Sequence, residues 1–174
     1  MKNFVWTKID GTQINDLASY IRNYMESYKW DYEIYIGTDS QRIRRKGTVL
    51  FSSVICIYRK GMGAHVIYSK HRRANIKDKF ERLREEVKYS IEIAKYLNEN
   101  DVLIRPDVLT VHLDVSPQSK NDSNKIYQEV IAKVLWEGYQ CEAKPNAPGA
   151  TYAADWVVKN KQIPFHELDE INNN

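Results

Sequence analysis

Two aspartates stand at the ends of runs built for β-structure: Asp39 follows YEIYIGT, and Asp114 closes VLTVHLD. Each carboxylate is a hard oxygen donor. Held close together, the pair would repel and raise each other's pKa unless a cation neutralised them, and carboxylate oxygens favour Mg2+ or Mn2+. Taken singly, each aspartate also reads as a turn residue or a helix cap. The metal reading therefore depends on the elements that position them.

Those elements can be predicted from periodicity. Ile14, Leu17, Ile21 and Met25 recur at helical spacing and predict a helix over about 12–28, started by Thr12 or Asn15. Residues 32–38 alternate and are rich in Ile and Tyr, as a strand should be. Two more strand-like runs follow at 47–58 and 62–71, with Arg59, Lys60 and Gly61 as a hairpin turn. From about Asp78 the period changes, and Leu83, Val87, Ile91 and Ala94 line one stripe of a helix that ends near 97–100. Residues 108–114 read as a buried strand, and the loop 116–124 offers Asp122 or Ser123 as the start of a helix carrying Ile126, Val130 and Val134. Gly138 ends that helix; a short strand at 139–143, a loop at 145–149, a helix at 150–159 and a polar tail at 167–174 complete the chain.

With no repeat and no low-complexity linker, the 174 residues suit one domain, with a core of about 30–160. Numbered in chain order, strands 1 to 3 form an antiparallel meander. Strands 4 and 5, each reached through a helix, lie parallel to strand 1 by right-handed crossovers. The expected fold is α/β, a five-stranded mixed sheet of order 3-2-1-4-5 with strand 2 antiparallel, flanked by helices. In that order strands 1 and 4 are neighbours, so Asp39 and Asp114 meet at one rim, where open α/β sheets bind ligands.

Composition narrows the function. No apolar run approaches the roughly 20 residues that span a bilayer, and the opening MKNFVWTKIDGTQIN has no secretory pattern, so a cytoplasmic protein with no membrane partner is expected. Cys56 and Cys141 lack the paired spacing of structural zinc and read as small buried hydrophobes. The net charge of +3 conceals a strong polarity: residues 41–84 hold 13 Lys or Arg against Asp78 and Glu81, a balance of +11, which leaves −8 elsewhere. Such a stretch can attract phosphate backbones, or it can be a set of solvated hairpin and helix faces.

The runs IGTDSQ, LREE, HLDVSP and KPNAPGATYAADWVVK, in that order, resemble the RNase H-like superfamily over about residues 30–160. Within it they are most similar to the YkuK-type group of bacterial and phage proteins. The resemblance implies a two-metal nuclease centre holding two Mg2+ or Mn2+ ions. Asp39 matches the aspartate of the first strand, Glu86 the glutamate on the helix after the meander, Asp114 the fourth-strand aspartate and Asp155 the aspartate on the last helix. In such a centre the two ions orient water and stabilise the leaving oxygen. Glu86 is preferred to Glu85 because it directly precedes Val87 on the apolar stripe, and Ala153 and Ala154 would let the last helix approach the sheet with Asp155 inward.

Other residues could serve the same rim. Ser40 and Gln41 could hydrogen-bond a phosphate or form a turn, and Arg42, Arg44, Arg45 and Lys46 are candidates for backbone contacts to nucleic acid. Lys144 and Asn146 occupy the loop where the resemblance places a substrate or product-release residue. Ribonuclease HI enzymes carry a histidine there, and this loop has none. His112 reads as a core histidine or a proton-shuttling group, and His65 and His71 as hydrogen-bonding or phosphate-contacting residues. The leading expectation is a metal-dependent nuclease; the alternative is an RNase H-like binding or scaffold protein without turnover. A transferase or junction resolvase would share the metal chemistry. Sugar-kinase or actin-type ATPases of related architecture need two such domains, more than this chain supplies.

Overall fold

The computed structural model describes residues 4–28, 32–43, 48–76, 78–103, 108–118 and 122–159. In chain order these form β1 (Trp6–Lys8), β2 (Gln13–Ile14), α1 (Leu17–Glu26), β3 (Glu33–Ile43), β4 (Thr48–Arg59), β5 (Gly63–Ala74), α2 (Lys79–Glu99), β6 (Leu109–Leu113), α3 (Asn124–Trp136), β7 (Gln140–Ala143) and α4 (Pro148–Lys159). The sheet has seven strands, not five, in the order β2-β1-β5-β4-β3-β6-β7. The five predicted strands are β3 to β7, and among themselves they keep the expected order. β4 is antiparallel to both neighbours, while β6 runs parallel to β3 and β7 parallel to β6.

Of the two additional strands, β1 lies in the N-terminal lead before the predicted helix, and β2 falls within the start predicted for that helix from the spacing of Ile14 to Met25. They are only three and two residues long, so alternation cannot reveal them. β1 is fixed by pairing with β5, Trp6 opposite Ser69, and the tight link to β2 passes through Gly11 at φ 91°, where Thr12 N–H donates to the Asp10 carboxylate. α1 therefore starts later than predicted. Its cap is Asp16, not Thr12 or Asn15, and the Asp16 side chain accepts from Ser19 N–H.

The sheet separates two cores. On one face Ile34 and Ile36 of β3, Ile55 and Ile57 of β4 and Ile67 of β5 pack with Ile21 of α1, Val87, Ile91 and Leu97 of α2, and Val130 and Val134 of α3. On the other face α4 lies alone over β3, β4 and β5, burying Ala150, Ala154 and Val157 against Val54 and Tyr68. A Cβ at Gly37 would lie 2.9 Å from Ala150 Cβ and 3.0 Å from its carbonyl carbon. The missing side chain lets α4 settle directly on β3. The small residue that makes closest approach is Ala150, with Ala154 buried and Ala153 only half-buried.

Among the described residues no helix is long and apolar enough to cross a membrane. Cys56 is buried and Cys141 half-buried, both as free thiols. The tail 167–174 lies outside the described residues.

Candidate functional site

β3 and β6 pair only as far as Gly37 opposite His112, after which β3 continues for six residues beside β4 alone. The two parallel strands part at their C-terminal ends, and a cleft of about 590 Å3 opens there. This opening lets side chains from both sheet faces meet. Asp39, Glu86 and Asp114 line it together with Lys79, Arg82, Lys144 and Tyr152. Asp39 is in mid-strand and not at a strand end as predicted; β6 stops at Leu113, and Asp114 follows it.

Asp39 faces α4. Burial pushes its carboxyl up to about 6, a Ser40 N–H hydrogen bond opposes that rise, and the charges of Asp114 and Asp155 together with a hydrogen bond to Asp155 reinforce it. Glu86 reaches the cleft from the opposite face, on the stripe of α2 that also buries Leu83, Val87 and Ser90. It is buried, and desolvation with the nearby Asp39 charge raises its pKa to about 8, against the opposing pull of Ser40 and Arg82. Ser40 Oγ donates to Glu86 Oε1 at 2.5 Å, and Arg82 donates to the Ser40 carbonyl at 3.3 Å. Glu85, the neighbour weighed against Glu86, turns away to pair with Arg73 and approaches Lys88 at 3.9 Å.

The other two carboxylates are paired with lysines. Lys144 Nζ lies 2.5 Å from Asp114 Oδ1, and Lys159 Nζ lies 2.6 Å from Asp155 Oδ1. Burial works against the charge on Lys144, but its hydrogen bond to Asp114 and the charges of Asp114 and Asp39 outweigh that and raise its pKa. Lys159 is raised by its bond to Asp155 and also feels Asp39 and Asp114. The four carboxylates thus share one electrostatic environment.

Three carboxylates on the cleft and Asp155 bonded to one of them, two of the four with ionisation suppressed by burial and neighbouring charge, offer the oxygen donors that a hard divalent cation takes. Among the described residues no three His, Cys, Asp or Glu side chains converge as a ready ligand group. Asp114 and Asp155 instead face the ammonium groups of Lys144 and Lys159.

The remaining expected site residues separate. Ser40 is buried and engaged with Glu86, so its role is to fix a carboxyl and not to touch a phosphate. Gln41 and Arg42 are exposed near the end of β3 and Asn146 is exposed in the turn after β7; none of the three lines the cleft. Arg44, Arg45 and Lys46 lie outside the described residues. Among the described residues of the basic stretch, the charges are distributed over several elements and some are paired. Arg84 makes a two-pronged contact with Glu129 at 2.6 and 2.8 Å, Lys79 meets Asp122 at 3.2 Å, and Arg59 covers the Tyr28 ring at 3.9 Å.

The three described histidines are held within the packing of the fold. His112 Nδ1 accepts the Ala150 N–H in the first turn of α4 at 3.2 Å, its ring stacks on Tyr35, and burial lowers its pKa to about 4. His65 bonds the Tyr20 hydroxyl. His71 sits among Phe4, Phe51 and Tyr89, where burial lowers it to about 4; that enclosure replaces the expected phosphate contact. Arg82 and Lys79, which sequence reasoning did not place at the site, could have been found from their positions four and seven residues before Glu86 on one helix face.

The family described as Ribonuclease H-like matches the chain over residues 16–159. No curated protein and no solved structure gives a match.

Proposed function

The chain belongs to the ribonuclease H-like family, and from that premise we propose that it is a divalent-metal-dependent nuclease that hydrolyses phosphodiester bonds in nucleic acid. One observation carries the reading: Asp39, Glu86 and Asp114 line one cleft where β3 and β6 part, and Asp155 is hydrogen-bonded to Asp39 beside it. These four would hold two Mg2+ or Mn2+ ions, which when bound supply activation of water and charge stabilisation at the leaving oxygen. Ser40 keeps the Glu86 carboxyl in one orientation. Lys144 and Arg82, at the cleft wall, are placed to receive the anionic phosphate, with Lys144 exchanging Asp114 for substrate oxygen. In the reaction the bond from phosphorus to the leaving oxygen breaks as the bond to the oxygen of water forms, and the proton of water ends on the leaving oxygen. The runs IGTDSQ and HLDVSP support closer kinship with YkuK-type proteins within the family.

The test is cleavage of a panel of hybrid, single-stranded, duplex and branched substrates with Mg2+, Mn2+ or EDTA. Wild type should cut at least one substrate only with metal, and Asp39→Asn should lose at least 100-fold of that activity, in keeping with a residue that acts directly on the reacting centre. Undiminished metal-dependent cleavage by the variant would refute the assignment. A second reading, a nucleic-acid-binding protein without turnover, is favoured by the lysines that already neutralise Asp114 and Asp155. It predicts binding without cleavage under every metal condition.

A further inference from the structure

α4 buries Ala150, Ala154, Val157 and Val158, and its outward positions are Tyr152, Trp156 and Lys159. These three lie at i, i+4 and i+7, one line along the helix. Tyr152 is 65% exposed and Trp156 50% exposed, although both are large apolar rings. The line begins at the cleft, since Tyr152 is part of its wall beside Lys144, and it leads away toward Lys159. Aromatic rings left in water next to a candidate phosphodiester site need an occupant with flat apolar faces and negative charge.

We propose that Tyr152 and Trp156 form a base-stacking platform and that the substrate is single-stranded or locally unpaired DNA or RNA. This rests on the nuclease reading of the cleft and specifies its substrate class. The two side chains are about 6 Å apart along the helix axis, nearly twice the ~3.4 Å rise per nucleotide of a duplex strand. That spacing suits an extended strand that lays one base on each ring. A duplex hides its base faces in the stack and cannot use the platform. Lys144 at one end and Lys159 at the other, paired here with Asp114 and Asp155, supply positive charge for the phosphates when they exchange those carboxylates for substrate oxygens. A second copy of the chain fits less well, because two rings flanked by Asp155, Lys159 and Lys144 make too small and too charged a patch for a stable dimer, which buries roughly 1,200–2,000 Å2.

The experiment is fluorescence anisotropy with fluorescein-labelled oligo(dT), oligo(U) and a blunt DNA duplex, in Ca2+, with oligonucleotide integrity checked on a gel. Wild type should bind at least one single strand about 10-fold or more tighter than the duplex, and the preferred strand distinguishes DNA from RNA. Tyr152→Ala and Trp156→Ala should each weaken single-strand binding by about 5- to 100-fold. Trp156→Phe should retain most of it, and Trp136→Ala, at an exposed ring on α3, should change nothing. Equal affinity for the duplex, absence of binding, an unaffected Tyr152→Ala/Trp156→Ala double variant, or a Phe variant as weak as the Ala variant would each overturn the platform. So would sedimentation showing that the Ala variants break a dimer while single-strand affinity is unchanged, which would assign the stripe to a second copy. The two readings fail separately. Single-strand binding through the stripe without cleavage under any metal refutes the nuclease and keeps the platform, whereas duplex cleavage undiminished in the double variant does the reverse.

Discussion

Glu86 is a carboxylic acid built into a place that resists its ionisation. Folded-state pKa values of about 8 for Glu86 and about 6 for Asp39 lie above the ordinary 4.5 and 3.8. The folded chain therefore binds these protons more tightly than the unfolded chain, and the metal-free fold loses stability as pH rises through those windows. His71 and His112 act oppositely. Their pKa values fall from 6.5 to about 4, so the fold loses stability as pH drops across that interval. The two carboxyls and the two histidines offset each other between about pH 4.5 and 6, the histidines prevail up to about 6.5, and above that Glu86 dominates. Stability measured by thermal unfolding in EDTA should therefore be greatest at about pH 6.5 and fall toward pH 8 by roughly 1.4 kcal/mol per pH unit. Glu86→Gln keeps an acceptor for Ser40 but removes the charge. It should flatten the alkaline decline and raise the midpoint at pH 8 by a few degrees; a lower midpoint at every pH would mean that the carboxyl stabilises the fold as it stands. At this scale the sequence made Asp39 and Asp114 legible through strand adjacency. It could not show that Lys144 would pair with Asp114, a contact that depends on loop placement, whereas the Lys159–Asp155 pair follows from i,i+4 spacing on α4.

At the scale of elements, the contact between β3 and α4 sets the position of Asp155. Gly37 and Ala150 touch where a Cβ would stand 2.9 Å from its neighbour, with the α4 backbone directly behind. Gly37→Ala should push the helix outward, lower stability in urea by about 1–3 kcal/mol and weaken metal-dependent cleavage with it. An unchanged midpoint and rate would show that the close approach has no consequence. Long elements were legible because their signals were long: α2 displays its stripe over 21 residues, and β4 and β5 are strand-forming runs of 12 each. β1 and β2 were not, since a three-residue strand has no period and takes its structure from β5. The end of β3 was misplaced for a related reason. Polar Asp39, Ser40 and Gln41 look like a turn, yet pairing with β4 carries the strand on to Ile43.

For the whole molecule, the order of elements carried most of the fold. Three strands with short links and then two crossovers leave few arrangements, and the observed core order is the one those connections allow. Charge was less informative. A run of 13 cations suggested a phosphate-binding face; among the described ones ion pairing engages several, and the proposed function gives the phosphate contacts to those at the cleft wall. Lys144→Ala should therefore weaken single-strand binding and reduce its salt dependence by about one counterion, while Arg84→Ala, which removes a partner of Glu129, should leave both unchanged. Equal effects of the two variants would return the interaction to diffuse surface charge.

The central claim is that these four carboxylates hold divalent metal. Its most direct test is calorimetric titration of Mn2+ into wild type and Asp39→Asn at pH 8, where the carboxyls can ionise. The account predicts saturable binding of two ions to wild type and loss of that binding in the variant. No binding to wild type at millimolar Mn2+, or equal binding to both proteins, would contradict it.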